Sequence, residues 1–301
     1  MDYTTFQTNL VKEVQRLAGE DFNITLQHMK KNNGVTLNAL CIRREEETVA
    51  PLIYMDDFYG RYQQGSPISQ LAQTLVDQYR ETTPNAHISM KEFRDFDTAR
   101  KRIYCRIVNY ELNDDRLLDI PHKRFLDLAI TYYYQVEDSI LRDATITITN
   151  THFSLWNISM EVLHETAWNN TVEQLPSNLQ SMEEALKEML GEEEQEELTE
   201  LSDSQSSPVP MYLLSNANRC LGAICMMYPG TLKKAAEYLH SNLFILPSSI
   251  HECILVPESR SFPKEELENM VISINATQLE PQELLSNHVY YYDLDEDSIR
   301  L

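Results

Sequence analysis

The turn at residues 247–252 holds the densest group of side chains that could do chemistry: two hydroxyls, an imidazole and a carboxylate, from Ser248, Ser249, His251 and Glu252. A serine nucleophile needs a histidine base within hydrogen-bond reach and a third group that orients the imidazole. Neighbours on one turn rarely converge in that way, and the chain has no Gly-x-Ser-x-Gly motif. We therefore expect Pro247 to fix the turn, and the two serines to bond to local backbone.

Two other motifs resemble sites for metals or phosphates. The tetrapeptide Tyr54-Met55-Asp56-Asp57 matches the active site of reverse transcriptases, in which paired aspartates hold metal ions. The surrounding polymerase motifs are absent, so we interpret the match as chance and place the two aspartates in solvent at a strand end. The segment between Gly60 and Pro67 resembles a phosphate-binding loop but lacks its lysine and hydroxyl, which predicts the start of a helix instead.

Histidines and cysteines do not follow the spacing of a metal site. His164 begins a zinc-protease-like motif, but Trp168 stands where the second ligand belongs. Cys220 and Cys225 lie five residues apart, and on a predicted strand they would face opposite ways. His251 and Cys253 make only a two-ligand fragment. We expect no metal and no cofactor.

Charge argues against nucleic acid as a partner. The formal net charge is −22, and residues 176–210 contain ten acidic residues and one basic residue. An acidic surface repels phosphate backbones. The lysines and arginines at 91–106 are interleaved with carboxylates, which predicts a solvated face.

Cysteine content and hydropathy favour the cytoplasm. The five cysteines are an odd number without a Cys-x-x-Cys pair, which is typical of reduced thiols. No basic region followed by an apolar run opens the chain, and no apolar segment is long enough to span a bilayer. We expect a cytoplasmic protein that does not contact a membrane.

The elements that must position these side chains alternate along the first half of the chain. They are a helix at 5–18, strands at 23–29 and 35–43 joined by an Asn-Gly turn, a short strand at 51–54, and a helix that Ser66 caps. A β-rich stretch follows, with strands at 102–109, 125–136 and 144–150. The second of these is apolar on both faces, which is typical of a central strand. Ser159 caps the next helix.

The second half begins with an acidic segment. Ser181 and Glu184 form a capping box for a short amphipathic helix at 182–190, and the rest of the segment is predicted to be a solvated linker. Beyond it we place the apolar run at 221–228 on a strand, then a helix, strands at 243–246 and 253–257, a second helix and a tyrosine-rich strand at 289–292.

With these motifs in view, most of the chain outside the acidic segment resembles a DUF5688-like family of unknown function from low-GC Gram-positive bacteria, many of the gut. The matching segments include 53–59, 108–110, 125–129, 155–159, 213–216, 228–230, 246–252 and 285–290. The chain is more remotely similar to the YtpQ-like family, which also has no known activity. The resemblance implies no reaction, cofactor or catalytic residue.

We therefore predict an α+β protein with mixed sheets and helices, divided at 1–95, 96–175, 176–209 and 210–301. The function predicted best is non-enzymatic protein binding or regulation, with another protein as the partner. The candidate binding residues are Pro247, Ser248, Ser249, His251, Glu252 and Tyr290. Two alternatives stay open: a hydrolase-like enzyme that uses Ser248 or Ser249 with His251 and Glu252, and a scaffold that acts through the helix at 182–190.

Overall fold

The computed structural model describes residues 1–44, 52–82, 90–136, 144–189, 209–260 and 262–301. It has the predicted α+β class, with helices and three antiparallel sheets in the described part of the chain. The chain divides into two compact units, Met1–Lys91 with Gln135–Ile146 and Glu92–Tyr134 with Thr147–Leu301. The predicted regions 96–175 and 210–301 both contribute to the second unit.

The first unit packs helices on a small sheet. Its elements are α1 (Tyr3–Ala18), β1 (Phe22–Lys30), β2 (Thr36–Arg44), β3 (Leu52–Tyr54), α2 (Asp56–Gln63) and α3 (Ile68–Thr82). The sheet has the order β1-β2-β3. Asn33 and Gly34 adopt positive φ angles of 59° and 70°, which is why an Asn-Gly pair joins β1 and β2 as predicted.

The core of the first unit forms because α1 places its apolar side chains on one stripe. Phe6, Leu10 and Val14 are fully buried in a cluster with side chains of β2, α2 and α3. The Asp2 carboxylate caps α1 by accepting the Thr5 N–H at 2.8 Å. Sequence analysis missed α2, because we placed Asp56 at a strand end. It is instead the first residue of that helix, although it is exposed as expected.

The first part of the second unit is a four-stranded sheet with short helices. Its elements are α4 (Met90–Arg94), α5 (Phe96–Ala99), β4 (Ile103–Asn109), α6 (Asp114–Leu117), β5 (His122–Phe125), β6 (Leu128–Gln135), β7 (Thr145–Thr147), α7 (Asn150–Trp156) and α8 (Met160–Gln174). The division between the two units falls within α4, β6 and β7. The sheet has the order β4-β6-β5, and β7 also pairs with β6. The Ser159 hydroxyl accepts the Val162 N–H, so the predicted cap of α8 is confirmed.

Two expectations about this sheet need correction. The strand predicted at 125–136 is two strands, because Leu126 takes a left-handed conformation (φ 53°) and turns the chain between β5 and β6. The prediction that this stretch contains a central strand is confirmed, since β6 is buried along most of its length. Arg106, which we expected on a solvated face, is half-buried on β4.

The second part of this unit is a six-stranded antiparallel sheet. Its elements are β8 (Ser177–Ser181), α9 (Met182–Met189), β9 (Tyr212–Asn216), a 3-10 helix (Gly222–Met227), α10 (Thr231–Leu239), β10 (Leu243–Leu246), β11 (Cys253–Pro257), α11 (Lys264–Gln278), β12 (Tyr290–Asp293) and β13 (Ser298–Arg300). The strand order is β13-β12-β10-β11-β9-β8.

Two features of this part differ from the predictions. The apolar run at 221–228 is not a strand, because Leu221 has a φ of 53° and starts the buried 3-10 helix. Residues 177–181, which we assigned to the linker, form β8 and pair with β9. The capping box is confirmed: the Glu184 carboxylate accepts the Ser181 N–H and the Ser181 hydroxyl accepts the Glu184 N–H. Residues 190–208 of the predicted linker lie outside the described residues.

In the described ranges, no helix has both the length and the hydropathy to cross a membrane. All five cysteines are free thiols, and only Cys220 is exposed.

Candidate functional site

The turn at 247–252 reverses the chain between β10 and β11, whose last pair is Leu246 with Ile254. Pro247 and Ser249 are buried in it, and Ser248, His251 and Glu252 are half-buried. The Ser249 N–H donates to the Glu252 carbonyl at 3.2 Å, and the Ser249 hydroxyl accepts the His251 N–H at 3.0 Å. Ser249 therefore stabilises its own turn.

The imidazole of His251 is engaged with backbone. Its Nδ1 accepts the N–H of Leu221 at 3.1 Å, so His251 caps the start of the buried 3-10 helix. With Nδ1 as the acceptor, the proton of the neutral ring is on Nε2, which lies 3.8 Å from Glu283 Oε1. In the described ranges, no serine hydroxyl forms a hydrogen bond with this imidazole. The nucleophile–base contact that a hydrolase needs is therefore not formed here.

Two carboxylates lie beside His251. Burial raises the pKa of Glu252, and Glu283 raises it further, while His251 and Arg219 act in the opposite direction. The Glu283 carbonyl also accepts the Ile250 N–H at 2.8 Å. Glu283 is thus joined to the turn by a backbone hydrogen bond, and its carboxylate lies near the imidazole of His251.

A close approach of backbone to backbone holds the turn against β9. The Ser215 hydroxyl donates to the His251 carbonyl at 2.8 Å. A Cβ on Gly222 would lie 2.3 Å from Ser215 Oγ, 2.5 Å from Asn216 N and 2.8 Å from His251 O. Only glycine fits at this position. We call Ser215, Asn216, Gly222 and residues 247–252 the corner.

A second polar cluster gathers around Asp127, in the turn between β5 and β6. Its Oδ2 accepts the Ser286 hydroxyl at 2.6 Å and lies 3.0 Å from His288 Nδ1, and its Oδ1 accepts the Tyr290 hydroxyl at 2.7 Å. Ser286 and Tyr290 are fully buried. We call Asp127, Ser286, His288 and Tyr290 the clasp.

Backbone contacts fix the two sides of the clasp. On the sheet side, the Asp127 carbonyl accepts the Tyr110 N–H at 2.8 Å. On the side that leads into β12, the Asn109 amide donates to the Leu285 carbonyl at 3.0 Å, and the Asn275 amide on α11 donates to the Ser286 carbonyl at 3.0 Å. The clasp thus ties the first sheet of the second unit to the last segment of the chain.

The electrostatics of the clasp favour a carboxylate that stays ionised. Burial acts to raise the pKa of Asp127, but the hydrogen bonds from Ser286, His288 and Tyr290 outweigh it, and the pKa is lowered. Burial raises the pKa of Tyr290, and the neighbouring Asp127 charge adds to that shift. Asp127 is therefore an anion whose donors come from the chain itself.

Serine, histidine and aspartate converge in the clasp without forming a catalytic triad. Ser286 donates to Asp127, and it lies 3.4 Å from the same Nδ1 that faces the carboxylate. The Nε2 side of His288 is directed away from the clasp, and the side chain is 61% exposed. A triad needs the hydroxyl on the opposite imidazole nitrogen and open to substrate. The arrangement is that of a cross-link.

An open cleft of about 320 Å³ lies beside β12 and β13. It is lined by Phe125, Met226, Met227, Tyr228, Pro229, Gly230, Leu232, Lys233, Tyr292, Asp297 and Ile299. Tyr292 lies two residues beyond Tyr290 on β12 and therefore on the same face. Its hydroxyl donates to Asp297 at 2.6 Å, whereas Lys233 is exposed and has no carboxylate partner among the described residues.

The structure brings together five of the six predicted binding residues, at the corner. Tyr290 lies in the clasp, and within the described ranges no hydrogen bond joins it to the turn. Sequence reasoning missed Asp127, Ser286 and His288 as a group. One signal was available: the family resemblance rests in part on segments 108–110, 125–129 and 285–290. Hydrogen bonds in and beside the clasp join these three segments.

Comparison with known proteins gives a family and no activity. No curated protein and no solved structure matches the chain. The remote similarity to the YtpQ-like family stays a prediction. A family model matches residues 3–294, and the chain therefore belongs to the family of unknown function DUF5688.

Proposed function

We propose that this protein is a non-enzymatic protein-binding or regulatory protein, and that the cleft beside β12 and β13 is where its partner docks. The observation that carries this proposal is the lining of the cleft. Methionine, aromatic and aliphatic residues are the majority of the residues that line it, and the lining also includes Lys233, which has no carboxylate partner among the described residues. Met226, Tyr228, Leu232 and Tyr292 are buried, so the accessible apolar side chains of the cleft include those of Phe125, Met227 and Ile299, which are half-buried. Methionine side chains adapt to a partner's shape.

The occupant we propose is a segment of another protein that carries a bulky apolar side chain beside a carboxylate. The apolar side chain would enter the cleft, and the carboxylate would bind Lys233. Asp297 accepts the Tyr292 hydroxyl, and Lys233 is the cationic side chain among the residues that line the cleft. The whole chain has a net charge of −22, so most of its surface repels an acidic segment. Lys233 attracts the carboxylate of such a segment, which favours binding at the cleft over binding elsewhere.

The corner is the weaker docking surface. Pro247 and Ser249 are buried, and Tyr290 is buried with its hydroxyl on Asp127. Ser248, His251 and Glu252 have the accessible side chains, but His251 is occupied in capping the 3-10 helix. The hydrolase-like alternative lacks a contact between serine and imidazole, and we do not put it forward.

We further propose that the protein works in a bacterial cytoplasm. All five cysteines are free thiols, four of them buried, and free thiols are typical of a reducing compartment. Separation of the native protein from cells into cytoplasmic and membrane fractions, followed by immunodetection, tests this location directly.

The docking proposal is tested with a displayed library of short random peptides, selected on the full chain. The selected peptides should share an acidic residue next to a bulky apolar one. Lys233→Glu should weaken their binding about fivefold or more, because a partner carboxylate would then meet a like charge. Lys234→Glu is the matched control: it makes the same charge change at the next residue of α10, which is also exposed but does not line the cleft.

Comparing peptide binding by the two variants distinguishes binding in the cleft from a general effect of net charge. Binding that falls equally in Lys233→Glu and Lys234→Glu would show that net charge alone governs it, and would contradict the proposal. Selected peptides without acidic residues would also contradict it. Phe125→Ala provides a charge-neutral check, because loss of this half-buried ring should weaken the same peptides.

A further inference from the structure

Two arginines approach each other on the four-stranded sheet of the second unit. Arg106 lies on β4 and Arg116 on α6. Arg106 Nη2 donates to Thr147 Oγ1 at 2.9 Å, and Arg116 Nη2 donates to the same oxygen at 3.2 Å. The two nitrogen atoms are therefore no more than about 6 Å apart. We call Arg106 and Arg116 the arginine pair.

The side chains that contact Arg106 are uncharged. Thr131 Oγ1 accepts from Arg106 Nε at 3.4 Å, and the guanidinium carbon of Arg106 lies 5.8 Å from the centre of the Tyr133 ring. Arg106 is opposite Thr131 in the sheet, and Thr131 is opposite His122, so these three residues share one face.

No carboxylate neutralises the pair within the ranges that the structure describes. Arg16, Arg219 and Arg300 each form an ion pair with glutamate or aspartate, but neither Arg106 nor Arg116 does. Two guanidiniums carry about ten N–H donors. Three of these have an acceptor among the described residues. Both residues are half-buried.

Electrostatics makes such a pair unfavourable without a counter-ion. Burial lowers the pKa of Arg106 to about 10, and the positive charge of Arg116 contributes to the shift. Burial also lowers the pKa of Arg116. A partly buried cation without a partner is destabilising, and a second one beside it adds repulsion. An anion between the two would remove both costs.

We propose that Arg106, Arg116 and Thr147 form a binding site for a phosphate group. Two fixed positive charges match the charge of close to −2 that a phosphate monoester carries. Arginine forks bind phosphate oxygens in pairs. Because the Thr147 oxygen accepts from both guanidiniums, its O–H proton is free to donate to a third phosphate oxygen. The site is independent of the cleft and of the proposed protein partner.

The test measures binding of inorganic phosphate to the full chain by isothermal titration calorimetry, at constant ionic strength set with chloride. Arg116→Gln removes one charge and keeps amide donors, and it should weaken phosphate binding about tenfold or more. Arg260→Gln makes the same change of charge at an exposed residue of this unit, and its affinity should stay within about twofold of wild type.

A second measurement depends neither on the heat of binding nor on the stability of the variant. Wild-type protein should broaden the phosphorus NMR signal of inorganic phosphate, and Arg116→Gln should broaden it less. Phosphoserine tested beside inorganic phosphate distinguishes a phosphorylated ligand from the free ion, because the ligand that resembles the natural one should bind more tightly.

Three results would overturn the proposal. One is a wild-type response to phosphate equal to its response to chloride. Another is equal weakening in Arg116→Gln and Arg260→Gln, which would assign the effect to net charge. The third is binding of acetate as tight as that of phosphate, since a monoanion does not match a site for two charges. If Arg106→Gln folds, it should weaken binding at least as much as Arg116→Gln.

Discussion

In the clasp, one carboxylate accepts hydrogen bonds from Ser286, His288 and Tyr290, whereas in the arginine pair two guanidiniums share one threonine hydroxyl. Both regions contain partly buried charged groups. In the clasp, the chain itself supplies the opposing groups. In the pair, donors outnumber the acceptors that the described residues supply.

This difference separates groups that hold the fold from groups that can bind something else. The corner is like the clasp, because two of its hydroxyls (Ser215 and Ser249), its imidazole and its glycine are engaged with neighbouring backbone. The cleft is like the pair, because Lys233 has no carboxylate partner among the described residues. We therefore expect substitutions at the corner and the clasp to cause large losses of stability, and substitutions at the pair and the cleft to cause small ones.

The largest effect is expected at the corner. Gly222→Ala should reduce the free energy of unfolding by about 3 kcal/mol, because the added Cβ meets backbone atoms that have no room to move. Urea denaturation measures this. Gly60→Ala is the matched control: its Cβ meets nothing within 4 Å, and alanine in helix α2 should raise stability by about 0.5 to 1 kcal/mol. Similar effects of the two substitutions would contradict the corner's tight packing.

The next effect is expected at the clasp. Asp127→Ala should reduce the free energy of unfolding by about 2.5 kcal/mol, because it leaves the buried hydroxyls of Ser286 and Tyr290 without their acceptor. The exposed Asp115→Ala should change stability by no more than about 0.5 kcal/mol. Equal losses in the two variants would show that the clasp contributes nothing specific.

The contribution of Asp127 to stability should depend on pH. The pKa of Asp127 is lowered in the folded state, so its stabilisation is fully present above the unfolded pKa of about 3.9 and is lost as pH falls through the folded pKa. The stability gap between wild type and Asp127→Asn should be constant from about pH 7 to pH 5 and shrink below about pH 4. Urea midpoints across this range measure the gap, and a gap that persists at the lowest pH would contradict the account.

The smallest effect is expected at the arginine pair. Without added phosphate, Arg116→Gln should change the free energy of unfolding by less than about 1 kcal/mol, or raise it, because it removes a half-buried charge that lacks a counter-ion. Urea denaturation in a phosphate-free buffer is the measurement. A loss as large as that of Asp127→Ala would mean that Arg116 is a structural residue.

Local features of the fold could be predicted because their physical causes are local. The α1 stripe follows from helical spacing, the β1–β2 turn from Asn33 and Gly34, and the α9 cap from Ser181 and Glu184. The turn at Leu126 and the 3-10 helix after Leu221 could not be predicted in this way. Both depend on a positive φ angle at a leucine. Leucine has no local preference for that conformation, so tertiary packing must impose it.

The polar clusters were missed for a different reason. Asp127 and Ser286 are 159 residues apart in the chain, and Arg106 and Thr147 are 41 apart. Spacing in the sequence carries no information on such contacts without an alignment. Sequence analysis therefore chose the turn at 247–252, where the same residue types are adjacent, and did not find the places where they converge through folding.

Urea unfolding of wild type, Asp127→Asn and Arg116→Gln, with and without inorganic phosphate at matched ionic strength, distinguishes a residue that holds the fold from one that binds a ligand. We expect the two variants to differ in opposite ways. Asp127→Asn loses stability but keeps the stabilisation by phosphate, whereas Arg116→Gln keeps its stability without phosphate and loses the response to it. Contradiction would come from an equal phosphate response in all three proteins, or from loss of stability and response together in Arg116→Gln.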